Sequence, residues 1–240
     1  RFATGDYSKE QKGRYTKGLP NLIYTNGLDF EFIRNGEPYQ FVTIADLIPT
    51  LPDRPDEFAV LERALKDFAS QTPVSITSAK QLAEMMAGKA AIIKDIMGRA
   101  LVADSEARQS TELTDQYEGF KSSLIHDITM ADFADIYAET IAYGLFAARL
   151  HDHTQDTFSR AEALQLLPKS NPFLRNLFVY IAGPNLDDRL VRMIDDLCDI
   201  FKATSLHDLL RDFGKFTARN DPFIHFYETF LAEYNPAKRK

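Results

Sequence analysis

Residues 131–150 read Ala131-Asp-Phe-Ala-Asp-Ile-Tyr-Ala-Glu-Thr-Ile-Ala-Tyr-Gly-Leu-Phe-Ala-Ala-Arg-Leu150. The polar side is narrow, because Asp132, Asp135 and Glu139 follow one another at the three- and four-residue steps of a single helix face. Beyond Glu139 the segment is apolar nearly all round, which a helix sustains only where neighbours surround it. Thr129 or Met130 opens the stretch, and we expect it to be the central helix of a bundle.

Working outward, the 3.6-residue period holds from Asp56 to the end of the chain, so this part is expected to be all-α. Phe58, Leu61, Leu65 and Phe68 form one apolar stripe. Leu82, Met85, Met86, Ile93, Ile96, Met97 and Leu101 form the next, opened by Thr77 or Ser78 as cap. This second helix should run ~26 residues and ~39 Å. Gly88 and Gly98 inside it predict a closely crossing helix, since glycine weakens a helix that gains nothing from the space. Residues 106–125 make a more polar helix, and 159–167, 173–182, 186–203, 205–216 and 222–233 complete the set. Pro172, Pro184 and Pro222 stand near predicted helix starts, where a missing amide costs least.

Toward the N-terminus the pattern changes. Residues 8–17 look helical, after which Leu22 to Thr25, Phe30 to Ile33 and Tyr39 to Ile44 read as strands joined at Asn26-Gly27 and Asn35-Gly36. Pro49, Pro52 and Pro55 mark the expected domain boundary, giving residues 1–48 and 49–240. Two or three strands bury too little to stand alone, so 1–48 is expected to be the tail of a larger α/β domain. The fold class is then mainly α, a multi-helix bundle with a small β meander at the N-terminus.

With 45% hydrophobic and 26% charged residues in 240, the chain can bury a core. No apolar run approaches the ~18 residues of a membrane span and no leader opens the sequence, so a cytoplasmic protein with no membrane partner is expected. Cys198 is the single cysteine, which leaves neither a disulfide framework nor a thiolate metal cage, and its helical phase makes it a small buried hydrophobe. The net charge of −7 is unevenly spread. Residues 1–20 carry +3 and Lys238 to Lys240 another +3, leaving −13 between them. Contact with a phosphate backbone is expected only near the two ends. The chain opens without a methionine and stops soon after an amphipathic helix, and we read it as an excised fragment.

Three constellations invite chemistry. His126-Asp127, His151-Asp152 and His207-Asp208, with His153, match the doublets of a metal-dependent phosphohydrolase of the HD type; each falls at a helix edge, where Asp and His are ordinary capping and dipole partners. We prefer that structural role and expect no metal site in this chain. Asn171-Pro172-Phe173 and Asp221-Pro222-Phe223 look like the loop that grips an adenine amino group in amino-methyltransferases, but each lacks the second proline, and an N-cap followed by a first-turn proline explains both. The third is Gln11-Lys-Gly-Arg-Tyr15. Its spacing puts Gln11 and Tyr15 on one helix face, with Lys9, Lys12, Arg14 and Lys17 supplying positive charge suited to a nucleic-acid backbone.

Four segments carry a family resemblance: Leu19 to Phe30, Phe133 to Arg149, Asn171-Pro-Phe-Leu-Arg175, and Asp221-Pro-Phe-Ile-His-Phe-Tyr-Glu-Thr-Phe-Leu231. Together they resemble single-chain restriction-modification enzymes of the type IIG and type ISP group. In these, an N-terminal nuclease is joined by a helical coupler to an adenine-specific DNA methyltransferase. The nuclease of such enzymes is similar to the PD-(D/E)xK superfamily, whose RecB-like members end in a Gln-x-x-x-Tyr helix, and Gln11 and Tyr15 match that motif. The metal-binding Asp and the Glu-x-Lys expected before it are absent here. So is the helicase-like ATPase that type ISP enzymes place ahead of the coupler, which favours a type IIG-like layout.

The resemblance implies a fragment that is itself non-catalytic, with Gln11 and Tyr15 as accessory nuclease residues and Lys9, Lys12, Arg14 and Lys17 as DNA contacts. No cofactor site is expected within it. S-adenosylmethionine and a divalent metal are implied for the parent enzyme, a phage-defence protein that would methylate the adenine exocyclic amine and cut DNA. Its partners would be DNA and the flanking nuclease and methyltransferase domains. The HD-type phosphohydrolase and a helical protein-interaction module are the alternatives.

Overall fold

The computed structural model describes residues 9–45, 54–70, 76–152, 154, 157–167, 172–212 and 222–235. These form two compact units, Arg1–Val74 and Ser75–Lys240.

In the first unit, α1 (Lys9–Gly18) precedes an antiparallel sheet of β1 (Asn21–Thr25), β2 (Asp29–Arg34) and β3 (Glu37–Thr43), in that spatial order. Both Asn-Gly pairs make the turns. Asn35 and Gly36 have φ of 50° and 86°, the two successive left-handed residues that a tight hairpin matched to strand twist requires. At the other turn the Asn26 side chain accepts the amides of Leu28 (2.9 Å) and Asp29 (2.7 Å), and Gly27 supplies φ 88°. Strand alternation then sorts the side chains. Phe30 and Phe32 of β2 share a face with their neighbours Ile23 and Val42, and on that face sits α2 (Pro55–Ala69) through Val60, Leu61, Ala64 and Phe68. Tyr24 and Glu31 lie on the opposite face and hold α1.

This corrects the expected boundary and part of the expected stripe. The proline cluster does not separate sheet from helices: α2 closes the hydrophobic face of the sheet, and the division falls at Val74/Ser75. Within α2 the packed residues are shifted by one around the helix, leaving Phe58 and Leu65 exposed at 45% and 42%. Asn21 donates to the carbonyl of Phe68 at 2.7 Å and Arg34 pairs with Asp67, which ties the end of α2 to the sheet.

The second unit is all-helical among the described residues, apart from one bridge between Ile76 and Thr204. Its elements are α3 (Ala79–Glu106), α4 (Glu112–Ser123), α5 (Met130–Leu150), α6 (Arg160–Leu166), α7 (Pro172–Ala182), α8 (Asp188–Lys202), α9 (Leu206–Asp212) and α10 (Pro222–Tyr234). The fold is therefore mainly α with a small N-terminal meander. Ser78 caps α3 by accepting from the Gln81 amide, Thr111 and Thr114 form a capping box on α4, and Thr129 caps α5. Pro172 and Pro222 occupy first helical positions, whereas Pro184 lies in the turn before Asp187, the cap of α8. Residues 107–111 turn outside any helix, with Arg108 at φ 52°, so the polar helix begins six residues later than its composition predicts.

The helix from Met130 to Leu150 is central. Phe133, Ala138, Ile141, Ala142, Leu145, Phe146 and Ala148 are fully buried, and α5 packs along α3, α6 and α8. Gly144 is the close-approach point: a Cβ there would stand 2.5 Å from the Phe178 ring on α7. Gly98, where a crossing helix was expected, has open space instead. Lys89 of α3 is 7% exposed and reaches Asp196 of α8 at 2.7 Å, so one buried charge is matched across the helix interface.

Candidate functional site

The Gln11/Tyr15 motif lies on α1 as expected, and the four-residue step places both on one face of the helix. Tyr15 is half-buried. Lys12 is engaged inside its own unit: its ammonium is 2.7 Å from a Glu31 carboxylate oxygen and 4.7 Å from the centre of the Tyr24 ring, while the Tyr24 hydroxyl donates to the Lys12 carbonyl at 3.2 Å. A cation held between a carboxylate and a ring offers less charge to a phosphate than a solvated one. The side chains of Lys9, Gln11, Arg14 and Lys17 lie outside the described residues, as do Lys238 to Lys240.

The described histidines of the three doublets bond locally. His126 Nδ1 is 3.0 Å from the Lys121 carbonyl oxygen and His151 Nδ1 is 2.8 Å from that of Ala147, each at the C-terminal end of a helix. His207 is 3.5 Å from its own neighbour Asp208. Asp152 serves Arg149 and Thr154. His153 lies outside the described residues, and among those described no three His, Cys, Asp or Glu side chains converge as a metal site. Asn171 and Asp221, the first residues of the two Pro-Phe tripeptides, also lie outside them, while the prolines that follow start α7 and α10.

Three of the four segments that carry the family resemblance meet on the C-terminal half of α5. Tyr227 of α10 donates to Glu139, Tyr143 and Tyr227 stand edge to face at 4.7 Å, and Phe226 stacks on Phe146 at 4.0 Å. One turn toward the N-terminus of α5, Asp135 accepts from Tyr234 at 2.8 Å and from Lys94 of α3 at 2.8 Å. Leu174 and Phe178 of α7 close over Gly144. Two of the three carboxylates of the narrow polar side, Asp135 and Glu139, thus bind α10, one turn apart on α5 and met by Tyr234 and Tyr227 two turns apart on α10, while Asp132 pairs with Thr129.

Two features were not legible in the sequence. Arg189 holds Asp104 with two hydrogen bonds of 3.0 and 2.8 Å and also reaches Asp187, joining the end of α3 to the start of α8; Thr111 adds a bond to Asp104 at 2.9 Å from the start of α4. Tyr137, in the apolar phase of α5, is 4% exposed, and its hydroxyl has no hydrogen-bond partner among the described residues. Nothing in a helical period distinguishes such a tyrosine from a core phenylalanine.

Among the described residues no helix is long and apolar enough to cross a membrane. Comparison with protein-family models, with curated protein sequences and with solved structures returns no match to this chain.

Proposed function

We propose that this chain is the helical coupler of a single-chain restriction-modification enzyme, with the end of its nuclease domain attached. The observation that carries the reading is spatial. Three of the four segments on which the resemblance rests, around Phe133–Arg149, Leu174 and Phe226–Leu231, are far apart in sequence yet pack on one another through Tyr227–Glu139, Phe226–Phe146 and Leu174–Gly144. A shared packing surface gives a physical reason for those residue types to occur together.

The coupler's work is mechanical. Helix α10, which in such enzymes leads toward the methyltransferase, is held to α5 by two tyrosine–carboxylate bonds and a stacked pair of rings, so force or displacement at its end is passed into the packed core. The sheet unit carries the Gln11/Tyr15 helix that belongs to the nuclease side. S-adenosylmethionine, the divalent metal and adenine recognition belong to the flanking domains, and the intact enzyme works on DNA in the cytoplasm as a phage defence.

The test is made on the full reading frame that contains this chain. It should transfer methyl groups to adenine from S-adenosylmethionine and cut unmodified DNA with a divalent metal. Gln11→Ala and Tyr15→Ala should lower cleavage and spare methylation. A full-length protein that methylates no DNA, or substitutions that depress both activities equally, would sink the reading.

A further inference from the structure

Both hairpin turns carry Asn followed by Gly. In that pair the glycine nitrogen can attack the asparagine side chain, because no Cβ stands beside it. Asn26 and Asn35 are both exposed. What separates them is how the reacting groups are held.

At the first turn every group that the reaction uses is engaged. Asn26 Oδ1 accepts from the amides of Leu28 and Asp29 at 2.9 and 2.7 Å, and its Nδ2 donates to Asp29 at 3.0 Å. The Gly27 amide, the attacking group, donates to the Thr25 hydroxyl at 2.9 Å. Asp29 is itself anchored across the sheet, accepting from the Thr43 hydroxyl at 2.7 Å. Reaction there must first dismantle this cluster, and each hydrogen bond given up counts about fivefold. At the second turn the Asn35 side chain and the Gly36 amide make no hydrogen bond among the described residues. The turn is tied through the Asn35 backbone amide, which donates to the Pro20 carbonyl at 2.8 Å. A Cβ built on Gly36 would meet nothing nearer than the Thr16 carbonyl oxygen at 3.9 Å, so the turn has room to bring nitrogen and carboxamide together.

We propose that Asn35 is a site of spontaneous modification, converting to aspartate and isoaspartate in the folded chain while Asn26 persists. The Gly36 nitrogen gives its proton to solvent hydroxide and bonds to Asn35 Cγ; the side-chain nitrogen leaves as ammonia, taking a proton from water. Water then opens the five-membered imide at either carbonyl, so one amide and one water become one carboxyl and one ammonia. Opening at the backbone carbonyl gives isoaspartate. It carries the main chain through Cβ and Cγ and adds one atom to a two-residue turn whose closure sets Glu37 opposite Arg34.

Trypsin cuts between Arg34 and Asn35, which puts the two asparagines in separate peptides. In the native 240-residue chain aged at mildly alkaline pH, mass spectrometry should show Asn35 converting about tenfold or more faster than Asn26, the factor that two of the Asn26 bonds supply. In guanidinium chloride the two should convert at similar rates, since each is then an unheld Asn-Gly. The product at position 35 should include isoaspartate, detected by enzymatic methylation of its free α-carboxylate. Asn35→Gly, which the left-handed backbone of this turn accepts, should melt with the parent chain and abolish conversion in that peptide. Equal rates in the native chain, Asn26 ahead of Asn35, or an Asn35 that persists in the native chain while converting in denaturant would each overturn the proposal.

Discussion

The guanidinium of Arg149, 1% exposed at the end of α5, donates from Nε to the carbonyl oxygen of Phe201 at 3.0 Å, across 52 residues of sequence. The same group bonds the Asp152 carboxylate and, at 2.8 Å, the Thr154 carbonyl, and it lies 5.5 Å from the centre of the Phe158 ring. One side chain thereby fixes the exit of α5, the loop after it and the end of α8.

Arg149→Met keeps most of the volume but strips Asp152, whose side chain is 5% exposed, of its cation. The expected loss is about 3–5 kcal/mol, the cost of leaving one half of a buried pair behind. Urea unfolding measures it, and a cycle with Asp152→Asn should recover part, because the second change removes the stranded charge.

Helix α5 offers a graded test of packing. Ala138→Asp and Ala142→Asp, both at fully buried positions, should each destabilise by several kcal/mol (about 3 or more) by forcing an unpaired carboxylate into the core. Gly144→Ala should cost about 1–3 kcal/mol, since the new methyl would press on Phe178 at 2.5 Å. Gly98→Ala has nothing to meet and should raise stability by about 0.5–1 kcal/mol through the unfolded state. A thermal melt of the four variants should give that order.

Acid should act through the Arg189 network. Hydrogen bonding from Arg189, against the opposing effect of burial, holds the Asp104 and Asp187 carboxyls below the ordinary carboxylate range. A folded-state value below the unfolded one stabilises above the unfolded value of about 3.9, and that stability is lost as pH falls through the folded value. Arg189→Gln should therefore lower stability at neutral pH by about 1–2 kcal/mol, and the gap to the parent chain should narrow as pH falls below about 3.9. Denaturation curves across that window provide the measurement.

Cys198 is 3% exposed, and burial pushes its thiol up to about 12. Native protein at pH 8 should react with a thiol-disulfide reagent only at the rate of global or local opening, while denatured protein should react at once. Fast native labelling would show that α8 opens readily.

The sequence by itself determined the local elements. The narrow polar stripe of 131–150 made α5 central, Thr77 or Ser78 and Thr129 or Met130 marked helix starts, of which Ser78 and Thr129 are the caps, and Asn26-Gly27 and Asn35-Gly36 marked the turns. These signals are complete within four or five residues, since caps, turns and helical period involve only near neighbours. Only the tertiary structure decided which side of α2 is used, because Phe58 and Leu65 are as apolar as Val60 and Ala64, and the sheet selects between them. It also decided that Gly144 admits α7 while Gly98 faces open space, that Glu139 and Asp135 receive tyrosines from 88 and 99 residues away, and that the Tyr137 hydroxyl has no hydrogen-bond partner among the described residues. Such pairings depend on how helices cross, and a crossing is set by the summed packing of distant faces, on which a local period carries no information.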